Sequence, residues 1–89
     1  LKELRALTGD ENGAQRVAFT SIWVKARGFL HEKLAELPVE IHTDAAGNLW
    51  ATLPGESEKA LIIGGHIDSV PNGGWLDGCL NVLAGVEIL

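Results

Sequence analysis

The residues of this sequence best suited to chemistry lie in one stretch, Gly64 to Gly78, GGHIDSVPNGGWLDG. It holds one imidazole, His66, two carboxylates, Asp68 and Asp77, and five glycines, and it follows the apolar run KALII. Glycine costs a strand or helix about 0.5–1 kcal/mol relative to alanine, so this density of glycine needs a reason. His66 and Asp68 stand two apart at what reads as a strand end, where a two-residue period points them to the same side. A histidine that holds a metal ion usually donates its other ring N–H to a carboxylate, which fixes tautomer and orientation. His-x-Asp can build that pair. Asp77 lies eleven residues after His66, past a loop that Pro71 and the glycines allow to fold back. A carboxylate there can be a second ligand or can bridge two ions. The glycines let the backbone crowd a small charged site and adopt positive φ, and a metal compensates carboxylates that are otherwise costly in a dry site.

Other readings of these residues stand beside this one. A glycine-rich loop between a strand and a helix also suggests phosphate binding, but GGHIDSVPNGG does not fit G-x-G-x-x-G and lacks the G-K-[ST] of a P-loop. Asp77-Gly78 can simply be the turn that starts the last helix. His31 falls mid-helix and is expected to be solvated, and His42 falls on the polar face of a strand. Cys79 reads as a small packed residue, because no second histidine is placed to activate it. Trp23 and Trp50 read as core, while Trp75 can line a pocket or cap the loop.

The elements that must position this stretch are legible upstream. Trp23, Ala26, Leu30, Leu34 and Leu37 recur at helical spacing from about Thr20 to Leu37, with Ile22 and Phe29 widening the stripe. Thr20 is an N-cap candidate and Pro38 a stop. Val39–Thr43 alternates as a strand, DAAGN is a turn, and Leu49–Leu53 is a second strand. After the turn PGESE, Lys59–His66 reads as a third strand, apolar enough to be buried on both faces. Leu80–Leu89 reads as a buried helix, apolar nearly all round. Residues 8–15, TGDENGAQ, read as a polar loop. Helix, hairpin, central strand, loop and helix predict the opening of an α/β domain with a mixed sheet, its site at the carboxyl end of the central strand.

Composition narrows the classes. The 89 residues are 46% hydrophobic and 21% charged, with a formal net charge of −5 and no Lys/Arg cluster, which argues against a nucleic-acid partner. No apolar run approaches the roughly 20 residues of a membrane span, and no signal peptide is visible. The single cysteine suits a reducing compartment. No methionine begins the chain, and NVLAGVEIL ends it without a helix stop signal. The expectation is therefore a piece of a longer protein.

The run IIGGHIDSVPNGGWLDGCLNVLAGVEIL resembles the first metal-binding motif of the M20-type metallopeptidase superfamily. It is most similar to the N-carbamoyl-L-amino acid hydrolase branch, which includes β-ureidopropionase and allantoate amidohydrolase. Members carry G-[SG]-H-[IL]-D-[ST]-V-x-x-G-G-x-[FYL]-D-G before an apolar helix rich in small residues. RVAFT (residues 16–20) resembles the branch's R-[LV]-[AS]-[FL]-[ST], and DAAGNLWAT resembles the superfamily's D-x-x-G-N-[LVI]-x-A hairpin. The pattern departs at Trp75-Leu76, where the branch often has Lys or Arg followed by Phe or Tyr.

The resemblance implies the N-terminal portion of a zinc-peptidase-like catalytic domain over residues 1–89, a mixed β-sheet flanked by helices. It implies that His66 is a metal ligand, that Asp77 bridges two divalent ions (Zn, Mn, Co or Ni), and that Asp68 is the carboxylate behind His66, counted with the catalytic residues. The catalytic Glu-Glu motif, the later histidine ligands, the substrate-binding arginine and the lid domain fall beyond position 89. The implied parent is a cytoplasmic, homodimeric, metal-dependent amidohydrolase. It would cleave the carbamoyl C–N bond of N-carbamoyl-L-amino acids or ureido acids, with no nucleic-acid or membrane partner. A dipeptidase or deacylase of the same superfamily is the alternative enzyme, and a non-catalytic structural or interaction fragment is the alternative class.

Overall fold

Leu1, Leu4 and Thr8 are spaced to share one face of a helix, and LKELRALT is built mostly of good helix formers. In the computed structural model, which describes Leu1 to Leu89, helix α1 spans Lys2–Thr8. With seven residues and no capping side chain, it spans only about two turns, too short for this spacing to stand out from a loop in the sequence. It buries Leu4 and Thr8, and the Thr8 hydroxyl donates back to the Leu4 carbonyl at 2.7 Å. Gly9–Asp10 (β1) and Gly13–Ala14 (β2) then pair as a tight antiparallel hairpin, Gly9 against Ala14 and Asp10 against Gly13. The expected loop at residues 8–15 is thus an ordered turn. Asp10 accepts from the Asn12 N–H at 2.8 Å and from the Gln15 side chain, and these bonds, Gln15 foremost, hold its carboxyl below the usual range.

Helix α2, Ser21–Ala35, follows as expected. The Thr20 side chain accepts the Trp23 N–H at 3.3 Å and so satisfies one free donor of the first turn. Ala26, Leu30 and Leu34 face inward and meet Leu4, Ile67 and Cys79 in the core cluster. Strands β3 (Glu40–Thr43) and β4 (Leu49–Thr52) form the second antiparallel hairpin, with Ile41 opposite Ala51 and His42 opposite Trp50. The inward Ile41, Leu49 and Ala51 pack on the cluster. His42 and Trp50 lie on the other face and stack on each other with ring centroids 6.3 Å apart. Trp50 is therefore not core: it is 39% exposed, and its indole N–H donates to Asp44 at 2.8 Å. Trp23 is half-buried beside the core.

The third expected strand does not form. Residues 60–66 share no backbone hydrogen bond with any other segment, and the chain's sheets are two separate two-stranded antiparallel pairs. A strand is held by ladder bonds to neighbours, and neither hairpin offers this segment a paired edge. Leu61 and Ile62 are 88% and 73% exposed as a result. Helix α3, Cys79–Ile88, forms where expected but is not buried all round. Cys79 is fully buried, Val82, Leu83, Val86 and Leu89 pack partly on the core, and Leu80 and Ile88 face out. No helix is long and apolar enough to cross a membrane.

Candidate metal centre

The segment His66–Ser69 alternates as its sequence suggests. Ile67 and Ser69 are buried against the body of the chain, while His66 and Asp68 project on the other side. His66 Nδ1 lies 3.2 Å from Asp68 Oδ1 and 3.1 Å from the Asp68 carbonyl oxygen. With two acceptors at Nδ1, a neutral ring carries its proton there and leaves the Nε2 lone pair free. Nε2 faces the Asp77 carboxylate, 3.7 Å from Oδ2. The structure thus brings together all three residues singled out in the sequence, with one carboxylate at each ring nitrogen. The His66 side chain is 53% exposed and that of Asp77 76%.

The glycines make this approach possible. Gly78 has φ 68° and ψ −54°, and the Cys79 N–H reaches back to the Asp77 carbonyl at 2.7 Å. That is a γ-turn of the rare positive-φ kind, strained for any residue with a side chain. A Cβ at Gly78 would fall on the His66 imidazole. On the other side, a Cβ at Gly65 would lie 2.9 Å from both the Gly78 carbonyl oxygen and Asn81 Cβ. Neither Gly65 nor Gly78 has room for a side chain where this segment meets the start of α3, and the turn that presents Asp77 is the one that clears room for His66.

The buried side of the segment is held from the amino end of the chain. Ala14 and Gly73 exchange backbone hydrogen bonds of 2.8 and 2.9 Å. Gln15 donates to Asn72 Oδ1 at 2.7 Å and accepts the Asn72 N–H at 3.1 Å. Arg16 bonds to Ile67 and Ser69. Sequence reasoning missed these residues as part of the site, because 57 positions separate Gln15 from Asn72 and no local period links them. The one available signal was the RVAFT resemblance at residues 16–20, which marks Arg16 without placing it behind His66.

Trp75 is half-buried and sits beneath Arg5, whose guanidinium carbon is 5.0 Å from the ring centre. It lines a shallow cavity with Lys2, Arg5 and Asp10. Cys79 is a packed thiol whose Sγ–H reaches the Trp75 carbonyl at 3.0 Å. His31 and His42 are exposed and apart from the site. No group of three or more His, Cys, Asp or Glu side chains in the chain is arranged to hold a metal ion by itself.

No family model matches the sequence. Curated relatives do. The chain is 39% identical over 79 residues to the N-carbamoyl-L-amino acid amidohydrolase of Geobacillus stearothermophilus, an alignment covering 86% of this chain and 19% of that enzyme. It is 31% identical to the allantoate amidohydrolase of Bacillus subtilis over 89% of this chain and 20% of that one. Among solved structures, an amidase of the hydantoinase/carbamoylase family from Burkholderia phymatum superposes with a TM-score of 0.82 at 34% identity, over 98% of this chain and 21% of that one. The chain spans about a fifth of the length of the proteins it matches, and over that fifth it has the α/β fold of the carbamoylase-type amidase.

Proposed function

We propose that this chain, alike in sequence and fold to one fifth of the carbamoylase-type amidases, is the N-terminal, metal-binding portion of the catalytic domain of such an enzyme. The parent would hydrolyse the carbamoyl C–N bond of an N-carbamoyl-L-amino acid or ureido acid. A reducing, cytoplasmic setting fits the lone free thiol of Cys79. The observation that carries the reading is the pairing around His66: Asp68 at Nδ1 and Asp77 opposite Nε2.

That donor set fits a divalent ion. The Nε2–Oδ2 separation of 3.7 Å is too long for a hydrogen bond. Two ligands at about 2.1 Å from one tetrahedral ion stand roughly 3.4 Å apart, so a small closure brings both atoms into reach of a common ion. His66 would supply Nε2. Asp77 would supply one oxygen to the same ion and has a second oxygen for a neighbouring one. Asp68 would stay off the metal and hold the ring through Nδ1. When bound, divalent ions would polarise the carbamoyl carbonyl and make water a better nucleophile. This chain's part is to aim the imidazole, to present Asp77 on the Gly78 turn, and to leave both on an open face where the remaining ligands and a general base can arrive.

Metal analysis of three variants of the parent protein tests the roles. Asp77→Ala should lower metal content most, His66→Ala should remove mainly one ion, and Asp68→Asn should weaken binding by about 10–100-fold without abolishing it at high metal. Two tightly held ions per chain in Asp77→Ala would end the bridging assignment.

A further inference from the structure

We infer that Arg16 is a positioning residue for the metal centre, a clamp that fixes His66 and Asp68 from behind. The inference deepens the metal reading above and rests on it. Arg16 is the largest fully buried side chain. Its Nε donates to the Ile67 carbonyl at 2.7 Å, its backbone N–H donates to the Ser69 hydroxyl at 2.9 Å, and its carbonyl accepts the Ser69 N–H at 2.9 Å. These three bonds fall on Ile67 and Ser69, the two buried positions that alternate with His66 and Asp68. Fixing the backbone at 67 and 69 therefore fixes the direction in which 66 and 68 project.

The energetics favour a positional role over a purely structural one. A buried guanidinium is costly without a counter-ion, and no carboxylate bonds to this one. Nη1 has only the Thr8 hydroxyl, at 3.5 Å, and Nη2 is buried with no partner. A methionine would fill similar volume without that cost. What it would lose is the donor to Ile67, the bond that joins the side chain to the site-bearing segment. Residues 60–66 get no support from a neighbouring strand, so this clamp is the first hydrogen-bonded anchor the segment meets before the loop.

The test compares Arg16→Met and Ser69→Ala with wild type in the parent protein. Two readouts are ring ¹⁵N shifts of His66 in metal-free protein and Co²⁺ affinity followed by its visible absorption. Wild type should show the fixed Nδ1–H form. Arg16→Met should average the two ring nitrogens toward exchange and weaken Co²⁺ binding by about 10–100-fold, and Ser69→Ala should do both to a smaller degree. A residue that only contributes stability would lower the unfolding midpoint and leave the His66 shifts of the folded protein unchanged. Unchanged shifts and unchanged Co²⁺ affinity in the folded variants overturn the inference. If Arg16→Met does not fold, Ser69→Ala decides alone on the same criteria. If the ring shifts move as expected but wild type takes up no Co²⁺, Arg16 still orients His66 and Asp68, but the metal reading falls and with it the metal-centre role.

Discussion

Replacing Gly78 by alanine tests most directly why glycine is spent so freely around His66. Two costs meet at that position. Holding a non-glycine residue at φ 68° and ψ −54° strains the backbone by about 1–3 kcal/mol. The added methyl would also occupy the place of the imidazole. In a closed core that overlap would add about 1–3 kcal/mol more. Here the ring has an exit, because the His66 side chain is 53% exposed, and rotating it outward forfeits little more than its bond to Asp68, about 0.5–1.5 kcal/mol. Swinging out is therefore cheaper than overpacking. Stability should fall by about 1.5–4.5 kcal/mol in all, a large part of the 5–15 kcal/mol typical of a domain. The site should suffer more than the fold: with Nε2 turned away from Asp77, metal affinity should drop beyond the roughly 100-fold expected for a lost orienting partner. Urea unfolding of the parent protein gives the first number and Co²⁺ titration the second. Gly74→Ala is the control, since its Cβ would lie an ordinary 3.6 Å from Asp77 Cβ and its φ is not positive. Wild-type affinity in Gly78→Ala would refute the steric account of the turn.

Three further outcomes are expected. Gly28 lies in α2 with open space around a new Cβ, so Gly28→Ala should raise stability by about 0.5–1 kcal/mol; a loss in urea unfolding would count against the helix packing described. Asp44 is held down to about 2 from 3.8, first by the Trp50 N–H and then by Asn48. A depressed carboxylate stabilises the fold above its unfolded pKa, and that contribution fades as pH falls from about 4 to about 2. Trp50 fluorescence should follow that loss, and Asp44→Asn should remove the transition; an unchanged acid profile in the variant would show that another carboxylate governs it. The 89-residue chain alone should hydrolyse no N-carbamoyl-L-amino acid with Zn²⁺, Mn²⁺ or Co²⁺ added, because it arranges no three-ligand group and open catalytic zinc sites use three protein ligands. Metal-dependent turnover by the purified chain would contradict this.

The parts of the fold that were legible in the sequence are those whose stabilising partners are close along the chain. Thr20 caps α2 three residues away, at the Trp23 N–H, and the β3–β4 hairpin closes over one short turn ordered by Asp44. Helix α1 is not legible in the sequence because seven residues carry too few periods, and its packing on α2 is tertiary. The apolar run Lys59–His66 predicts a buried strand. That run reports what the segment can bury, and burial needs neighbours these residues do not supply, so Leu61 and Ile62 stand exposed. The same shortfall leaves Leu80 and Ile88 of α3 facing outward. Trp50 misled for another reason: large aromatics usually lie inward, but strand alternation put Trp50 beside His42 on the open face, and its polar indole edge found Asp44.

The site was legible to the same limit. His66 and Asp68 are two residues apart, so strand geometry alone predicts that they share a side, and their 3.2 Å contact follows. Asp77 needed a loop to fold back, and glycine content shows only that folding back is permitted, not where it ends. The landing point is set by contacts that no local pattern encodes: Ala14 on Gly73, Gln15 on Asn72, Arg16 on Ile67 and Ser69. Because a hairpin near the amino end holds the loop in place, the order of the site depends on residues more than fifty positions upstream of it. Substitutions at Gln15 or Arg16 should therefore change the His66–Asp77 distance more than equally large changes at the exposed loop residues Val70 or Pro71. Loosening an anchor moves every group downstream of it, whereas trimming an exposed side chain moves only itself.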